Sequence, residues 1–195
     1  MAKLQGPTRI QTKNKQTIRE AALNVFSTYG FRGSTLDQIA TEAGLSKPNL
    51  LYYFPSKEAI HDELLASLLE TWLDPMREID PNGDPQDEII SYMKRKMQMS
   101  REFPRESRLF AMEIIQGAPR IEQVLSGDLK PLVDNTAALF QAWMDKGLLS
   151  QSNPHHLIFS IWSLTQHYAD FDVQVRAILG DKDPFVGAEA HLEDM

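Results

Sequence analysis

Residues 43–60, AGLSKPNLLYYFPSKEAI, place three helix-boundary signals around one short apolar run. Gly44 ends a preceding helix. Ser46 and Pro48 begin the next one, because a Ser side chain caps a helix and a proline in the first turn loses no hydrogen bond. Phe54-Pro55 then ends it, since the residue before a proline is disfavoured in the helical conformation. The stretch predicts one helix of about two turns with a defined start and end.

Two more helices are predicted ahead of this one. In residues 15–29 apolar side chains recur at spacings of three and four, and Gly30 follows as a stop signal. Ser34 and Thr35 can cap a second helix, with Gln38 in the capping-box position three residues after Thr35. Two short helices joined by a tight turn form a helix-turn-helix, which lays its second helix in the major groove of DNA.

The short helix at residues 46–54 has the polarity that such a recognition helix needs. Lys47 and Asn49 stand near its N-terminus, where side chains reach phosphates and base edges, while Leu50 can anchor it to its partner helices. Tyr52 and Tyr53 add hydroxyl groups suited to phosphates. The alternative is an ordinary helical hairpin in which the tyrosines only pack.

Charge is distributed unevenly along the chain. Residues 1–57 hold eight basic and three acidic residues, whereas the rest of the chain holds 12 basic and 24 acidic residues, for a net charge of −7. A basic segment ahead of an acidic body favours contact of that segment with a polyanion. The alternative is that the difference arises by chance in a short segment.

The composition narrows the class of protein. The chain has 195 residues, of which 42% are hydrophobic and 24% charged, as in ordinary globular proteins. It contains no Cys, so disulfides and thiolate metal sites are excluded. No apolar run approaches the roughly 20 residues of a membrane span, and no signal-peptide pattern begins the chain. We expect a cytoplasmic protein with no membrane association, no metal and no cofactor.

A fourth helix is predicted to connect the helix-turn-helix to the rest of the chain. Ser56 caps it, and an apolar stripe follows until Asp74-Pro75, where the proline is expected to break it. At about 28 Å in length, this helix can reach from the recognition helix into the body.

The fold is predicted to be all-α, since no segment shows a convincing alternating strand pattern. Helical patterns resume at 86–102, 105–116, 119–125, 128–146 and 154–179. The predicted organisation is a flexible basic arm (1–14), a helix-turn-helix DNA-binding domain (15–57) and a helical domain for ligand binding and dimerisation (58–195).

Trp162 and Gln166 are the most informative pair in the body. They are four residues apart on a predicted helix, so an indole and an amide can face one cavity. The Gln amide offers a donor beside an acceptor, which complements a ring edge with C=O next to N–H. The alternative is that the indole packs in the core and the amide bonds a neighbouring helix.

Four methionines in the middle helices allow two interpretations. Thioether side chains suit an interior that reshapes around a ligand, but methionine at helical spacing is more often ordinary core. The residues concerned are Met93, Met97, Met99 and Met112.

Residues 17–60 resemble the DNA-binding domain of the TetR family of transcriptional regulators. The resemblance is carried by STxxxIAxxAGLS (34–46) and LYYFPSKE (51–58). It implies a homodimer that places two recognition helices in successive major grooves, and a helical C-terminal domain whose small-molecule ligand changes the DNA affinity. The DNA contacts that it implies are Ser34, Thr35, Lys47, Pro48, Asn49, Tyr52, Tyr53 and Lys57.

The body resembles those members of the family that regulate pyrimidine utilisation. The matching segments include TWLDP (71–75), GAP (117–119) and TQHYADF (165–171). This resemblance implies uracil or thymine as the effector. The ligand contacts that it supports are Trp72, Trp162 and Gln166, with His167 and Tyr168 as further candidates.

The C-terminal segment departs from the family pattern. Dimers in this family form through the last two helices of each subunit, but only residues 183–195 follow the predicted helix that ends near Leu179. We therefore expect a final helix that is short, different or missing, and a dimer that depends on the helix at 154–179.

Two other functions stay open at this point. A regulator that senses a fatty acyl group or a cationic drug would need an apolar lining without Gln166 facing inward. An enzyme would use His167 and Asp170, three residues apart on a helix, as a base with its orienting group or as part of a metal site. Since no His-x3-His pair and no nucleophile motif is present, we expect no enzyme.

Overall fold

A computed structural model describes residues 9–193, and all regular structure within that range is helical. The all-α prediction is therefore confirmed. The chain divides into two compact units, one up to Leu68 and the other from Leu69 onward. This division lies inside the helix Lys57–Arg77, whereas the domain boundary predicted at 57/58 lies at the start of that helix.

The first unit contains three helices and the first turns of a fourth. They are α1 (Arg9–Gly33), α2 (Leu36–Glu42), α3 (Lys47–Tyr53) and α4 (Lys57–Arg77). Each contributes at least one fully buried apolar side chain to the core, and these include Ile18, Phe26, Ile39, Leu50 and Ile60. This shared core holds the helix-turn-helix together.

The predicted helix starts are confirmed. Thr35 and Gln38 form a reciprocal capping box at α2. The Ser46 hydroxyl accepts from the backbone N–H of Asn49 at the start of α3, and the Ser56 hydroxyl accepts from that of Ala59. These bonds satisfy donors that have no partner inside the helix, which is why Ser and Thr define where the helices begin.

A flexible arm was expected over residues 1–14, but the part of it that the structure describes is helical. Residues 1–8 lie outside the described range, but α1 already begins at Arg9. The amides of Gln11 and Asn14 donate to the hydroxyls of Tyr52 and Tyr53, at 3.1 and 2.8 Å. Side-chain contacts with α3 thus hold the first turns of α1. Helix propensity in the sequence does not reveal such contacts.

Pro75 does not end α4 as predicted. The helix continues to Arg77, and the backbone N–H of Glu78 still bonds to the carbonyl of Asp74. Leu73 and Met76 are buried on either side of the proline. Packing of these side chains compensates for the single hydrogen bond that the proline removes so close to the helix end.

The second unit contains the rest of α4 and the remaining helices. They are α5 (Pro85–Glu102), α6 (Pro104–Ile115), α7 (Glu122–Val124), a π-helical turn (Leu125–Leu129), α8 (Lys130–Asp145), α9 (Pro154–Asp170), α10 (Asp172–Leu179) and α11 (Ala188–Glu193). Tyr92, Phe140, Trp143 and Ile158 lie in its main hydrophobic core.

The helix predicted over 154–179 is divided at Phe171, whose φ and ψ are −114° and 30°. Just before this residue, a guanidinium nitrogen of Arg108 donates to the carbonyl oxygen of Ala169, and the Ser107 hydroxyl donates to the Asp170 carboxylate. These contacts from α6 hold the end of α9, and α10 begins as a separate helix after Phe171. The expected short final helix corresponds to α11.

Among the described helices, none is both long and apolar enough to cross a membrane.

The turn between α2 and α3 gives the first testable prediction. Gly44 has a φ of +65°, a conformation that a side chain disfavours, although nothing lies within 4 Å of an added Cβ. We expect Gly44→Ala to lower the free energy of unfolding by about 1 kcal/mol through backbone strain. Gly33→Ala, at a helical glycine where an added Cβ makes only ordinary contact, is the control and should not destabilise. Equal urea denaturation midpoints for Gly44→Ala and the wild type would contradict the assignment of strain.

Candidate DNA interface and ligand cavity

The N-terminal end of α3 presents its polar side chains to solvent. Lys47, Pro48 and Asn49 are exposed, as is Thr35 at the start of α2. The Lys47 ammonium lies 2.9 Å from the Asp37 carboxylate on the surface, a contact that contributes little because both groups are hydrated. These four predicted residues are therefore accessible to a phosphate or a base edge.

Ser34 does not fit the prediction of a DNA contact. Its side chain is buried, and its hydroxyl donates to the carbonyl oxygens of Val25 and Gly30. The hydroxyl ties the bend after α1 to the body of that helix. Ser34 acts within the fold, one residue before the exposed Thr35.

Lys57 also has a structural role where a DNA contact was predicted. Its ammonium donates to the carbonyl oxygens of Phe31 and Ser34, at 2.8 and 2.7 Å, and lies 4.3 Å from the centre of the Phe31 ring. A charged donor shared by two carbonyls is a strong interaction. Lys57 thereby fixes the first turn of α4 to the segment that joins α1 to α2.

Tyr52 and Tyr53 lie where α3 meets the start of α1. Tyr52 is 70% exposed and Tyr53 is half-buried, and their rings meet edge to face at 5.1 Å. Each phenol oxygen accepts a hydrogen bond from an amide of α1, as described above. Each hydroxyl proton therefore stays available to donate to a phosphate oxygen.

A groove of about 390 Å³ lies between α1 and these tyrosines. It brings two cations from α1 to the recognition helix, and both contact Glu63, Lys15 at 2.8 Å and Arg19 at 3.6 Å. The contribution of α1 to this surface was not predicted, although Lys15 and Arg19 are among the eight basic residues of the segment 1–57. The lining residues are Gln11, Thr12, Lys15, Gln16, Arg19, Tyr52 and Tyr53.

The second unit contains a cavity that brings the three main predicted ligand residues together. Trp72 comes from α4, and Trp162 and Gln166 come from successive turns of α9. Its volume of about 50 Å³ is room for about three or four water molecules. The other lining residues are Leu69, Leu73, Met76, Tyr92, Lys96, Phe110 and Leu129.

The indole nitrogens of the two tryptophans differ in their hydrogen bonding. Trp162 Nε1 donates to the Tyr92 hydroxyl at 2.7 Å, and burial raises the pKa of Tyr92 to about 12. Trp72 Nε1 is buried and has no hydrogen-bond partner. A buried N–H without an acceptor is unfavourable, so Trp72 gives the cavity a donor that a ligand can satisfy.

Lys96 is the cavity residue that the sequence analysis missed. Its side chain is only 2% exposed, and its ammonium lies 5.0 Å from the centre of the Trp72 ring. Burial lowers the pKa of Lys96 to about 7, although nearby Asp170 partly opposes this shift. Lys96 follows Tyr92 by one helical turn, so its place on the buried face of α5 is the signal that could have identified it.

His167 and Tyr168 do not line the cavity, in contrast to the prediction. His167 is exposed and stacks on Phe171, with ring centres 5.0 Å apart. Tyr168 packs against Phe185 at 5.6 Å. Successive residues of a helix project about 100° apart, so the neighbours of Gln166 face elsewhere.

The four methionines singled out in the sequence do not line this cavity either. Met97 and Met99 are buried in the core, whereas Met93 lines a separate groove. The methionine in the cavity wall is Met76. Burial supports the interpretation as ordinary core for Met97 and Met99, whereas Met93 and Met112 are only partly buried.

Two known protein families match consecutive parts of the chain. Residues 18–64 match the family described as bacterial regulatory proteins, tetR family, and residues 65–194 match the family described as YcdC-like protein, C-terminal region. The junction between the two matches lies close to the division between the two structural units.

Individual relatives agree with this assignment. The chain is 47% identical over 173 residues to the HTH-type transcriptional regulator RutR of Escherichia coli, covering 89% of this chain and 82% of that protein. A TetR-like regulator from Rhodococcus superposes with a TM-score of 0.69 at 19% identity, over 97% and 95% of the two chains. The fatty acid degradation regulator FadR from Bacillus halodurans superposes with a TM-score of 0.65 at 16% identity, over 96% and 94%. These two structures establish the similarity of fold.

The contrast between Lys47 and Lys57 is directly testable. Lys47→Met removes an exposed cation, so we expect weaker binding to duplex DNA and unchanged stability. If Lys47 neutralises one phosphate, the slope of log affinity against log salt should fall by about 0.9. Lys57→Met removes a charged donor from two carbonyls and should lower the free energy of unfolding by about 1.5–3 kcal/mol.

Fluorescence anisotropy on duplex DNA at several salt concentrations, together with urea denaturation, separates the two roles. The assignment would be wrong if Lys57→Met left the stability unchanged while it weakened DNA binding to the same extent as Lys47→Met.

The burial of Lys96 predicts a specific pH dependence of stability. Its pKa lies at about 7 in the folded protein and near 10.5 in the unfolded chain, so the unfolded chain binds more protons between these values. Stability should therefore increase with pH in this window, by up to about 2 kcal/mol between pH 7 and pH 9. Lys96→Met should lose this increase, whereas the exposed-face control Lys94→Met should keep it. Urea denaturation at the two pH values provides the measurement, and an equal increase in both variants would contradict it.

Proposed function

Because the chain belongs to the TetR family of transcriptional regulators, we propose that a pyrimidine base such as uracil or thymine binds in its cavity and changes its affinity for operator DNA. Regulators of this family bind operator DNA and small-molecule effectors and are typically dimers, and the family is not one of enzymes. We propose that this chain acts as a homodimer in the cytoplasm.

The proposed DNA contacts are those predicted residues that remain accessible. Lys47 and Asn49 are suited to a phosphate and a base edge, and the free protons of the Tyr52 and Tyr53 hydroxyls are suited to the backbone. Thr35 and Pro48 complete the exposed surface at the starts of α2 and α3. In this proposal Ser34 and Lys57 position the two helices without contacting DNA themselves.

The observation that carries the pyrimidine proposal is the combination of Trp72, Trp162 and Gln166 around one cavity. Indole rings favour stacking on a flat ring. The Gln166 amide offers a donor and an acceptor, which match the adjacent C=O and N–H of a pyrimidine edge. The unpaired N–H of Trp72 is suited to a second carbonyl of the same ring.

The size of the cavity implies that the ligand changes its walls. Room for about three or four waters is less than a six-membered ring with two carbonyl groups needs. In this proposal, wall residues such as Trp162 move when the ring enters. A ligand that binds one arrangement of the walls better than another shifts the protein toward it, which is the requirement for allosteric control.

Helix α4 offers a physical route for this control. It supplies Trp72 to the cavity, and it begins at Lys57, only a few residues after the recognition helix ends. About four helical turns separate Lys57 from Trp72 along one continuous helix. A shift at Trp72 can thus be passed along α4, with a coupling free energy of about 1–3 kcal/mol in typical cases.

The face of α9 and α10 that is open to solvent is the proposed dimer interface. Val173 is 85% exposed and Ile178 is 76% exposed, and Phe159 and Phe171 add two partly exposed aromatic rings. Apolar side chains exposed together on one surface are typical of interaction sites. The break at Phe171 divides this face, which differs from the single long helix expected from the sequence.

A regulator of an apolar ligand is the second candidate, and one observation favours it. A groove of about 300 Å³ lies beside α5, α9 and α11, and its lining, which includes Ile89, Met93, Leu157 and Leu192, is mostly apolar. An acyl chain fits this groove better than it fits the cavity of about 50 Å³. The two candidates therefore place the effector in different parts of the second unit.

The effect of uracil on DNA binding tests the main proposal. We expect saturating uracil to change the affinity for a DNA fragment from immediately upstream of the protein's own gene by about 5- to 150-fold, because the coupling must fall in the range given above. Fluorescence anisotropy of the labelled fragment provides the measurement. If the affinity stays unchanged, the pyrimidine proposal fails, whereas the assignment as a DNA-binding regulator does not.

Gln166→Leu distinguishes the two classes of ligand in the same assay. This variant removes the amide from the cavity, so it should abolish the response to uracil and spare any response to an acyl ligand such as a fatty acyl-CoA. Gln98→Leu, at an exposed position of α5, is the matched control and should respond like the wild type.

A further inference from the structure

We infer that the cavity selects, among flat cyclic imides, those whose ring N–H is most acidic, because Lys96 places a buried amino group beside Trp72 that can take up the ring proton and pair with the ring anion. This inference rests on the proposed function, since it concerns the same cavity. The bound ring is an anion, and Lys96 is the residue that determines specificity.

Lys96 is placed so that a ligand in the cavity must meet it. Its ammonium lies 5.0 Å from the centre of the Trp72 ring, and both residues line the cavity with Gln166. Only 2% of Lys96 is exposed, so water does not screen its charge as it does that of a surface lysine.

No side chain that the structure describes is a direct counter-ion for the Lys96 ammonium. Among the side chains that the structure describes, no carboxylate lies within 4.0 Å of Lys96 Nζ. The carboxylate that acts electrostatically on Lys96 is that of Asp170 on α9. This carboxylate accepts a hydrogen bond from the Ser107 hydroxyl at 2.5 Å. Arg108 on α6 and His167 also act on Asp170, so this carboxylate is shared among several groups.

Burial of an ammonium group without a counter-ion favours its neutral amine form. The lowering of the Lys96 pKa to about 7 agrees with this. A ring anion beside Nζ stabilises the ammonium form again, and a cyclic imide carries an N–H between two carbonyl groups that can supply the proton. In the bound complex the imide proton passes to Nζ, which leaves an ammonium paired with a ring anion whose charge is delocalised onto the carbonyl oxygens.

The energetic consequence is a dependence of affinity on ring acidity. When the ring gives up its proton more easily, forming the ion pair requires less free energy, while the shape of the ring and the contacts with both tryptophans stay the same. The NH2 group of Gln166 can donate to a ring carbonyl oxygen in the neutral and in the anionic ring. Selection by acidity therefore depends on Lys96 and not on Gln166.

Three rings of nearly equal size test this inference. The N–H groups of uracil, 5-fluorouracil and 6-azauracil increase in acidity in that order, and the two analogues alter different edges of the ring. Isothermal titration calorimetry on the full chain at pH 7 should give affinities that increase in the same order, with 6-azauracil at least about tenfold tighter than uracil, equivalent to 1.4 kcal/mol.

Lys96→Met should remove the order, so that all three rings bind with affinities within about twofold of one another. Lys94→Met, on the exposed face of the same helix, should keep it. The comparison of the three rings on the wild-type protein needs no variant, so it remains decisive even if Lys96→Met does not fold.

The possible results are distinguishable. Uracil binding without a preference for the more acidic rings, or a preference that persists in Lys96→Met, overturns the inference and leaves the proposed function standing. If none of the three rings binds the wild type, the pyrimidine proposal fails and this inference fails with it.

Discussion

The ammonium of Lys57 is the contact on which the helix-turn-helix depends. It binds the carbonyl oxygen of Phe31 in the last turn of α1 and that of Ser34 between α1 and α2, and Lys57 is also the first residue of α4. One side chain thus fixes the end of α1, the start of α2 and the start of α4. The Phe31 carbonyl accepts one further hydrogen bond, from the backbone N–H of Ser34 at 3.4 Å, and the charged donor adds a stronger partner.

The second unit contains the opposite situation, a lysine whose burial is unfavourable. Lys96 loses hydration without gaining an ion pair, and the nearby N–H of Trp72 has no acceptor. A fold selected for stability alone would place an apolar residue of similar volume at position 96, since an uncompensated buried charge is costly. Unsatisfied polar groups of this kind concentrate at functional sites, where a ligand satisfies them.

Sequence patterns predicted the local structure well where a single residue decides it. Thr35, Ser46 and Ser56 begin their helices as expected, because each cap depends on atoms within one turn. Periodicity also brought Trp162 and Gln166 to one cavity, since a spacing of four is a property of one helix. Trp72 was predicted as a third ligand contact from the resemblance to regulators of pyrimidine utilisation, and not from a sequence pattern. Tertiary contacts decided the features that the sequence did not predict. Ser34 was predicted to contact DNA but is buried. Contacts from α6 accompany the break in the helix predicted over 154–179.

The two lysines show why residue type and position in the chain do not determine function. Lys57 belongs to a segment that resembles a DNA-contacting motif, yet its ammonium is used within the fold. Lys96 lies in a helix that gave no functional signal, yet it contributes the cation of the cavity. What separates them is the partner available to each ammonium: two carbonyls satisfy Lys57, and no carboxylate in the described structure pairs with Lys96. An ammonium that the fold satisfies stabilises the fold, whereas one that the fold leaves unsatisfied favours a ligand, because only the ligand can supply the missing interaction.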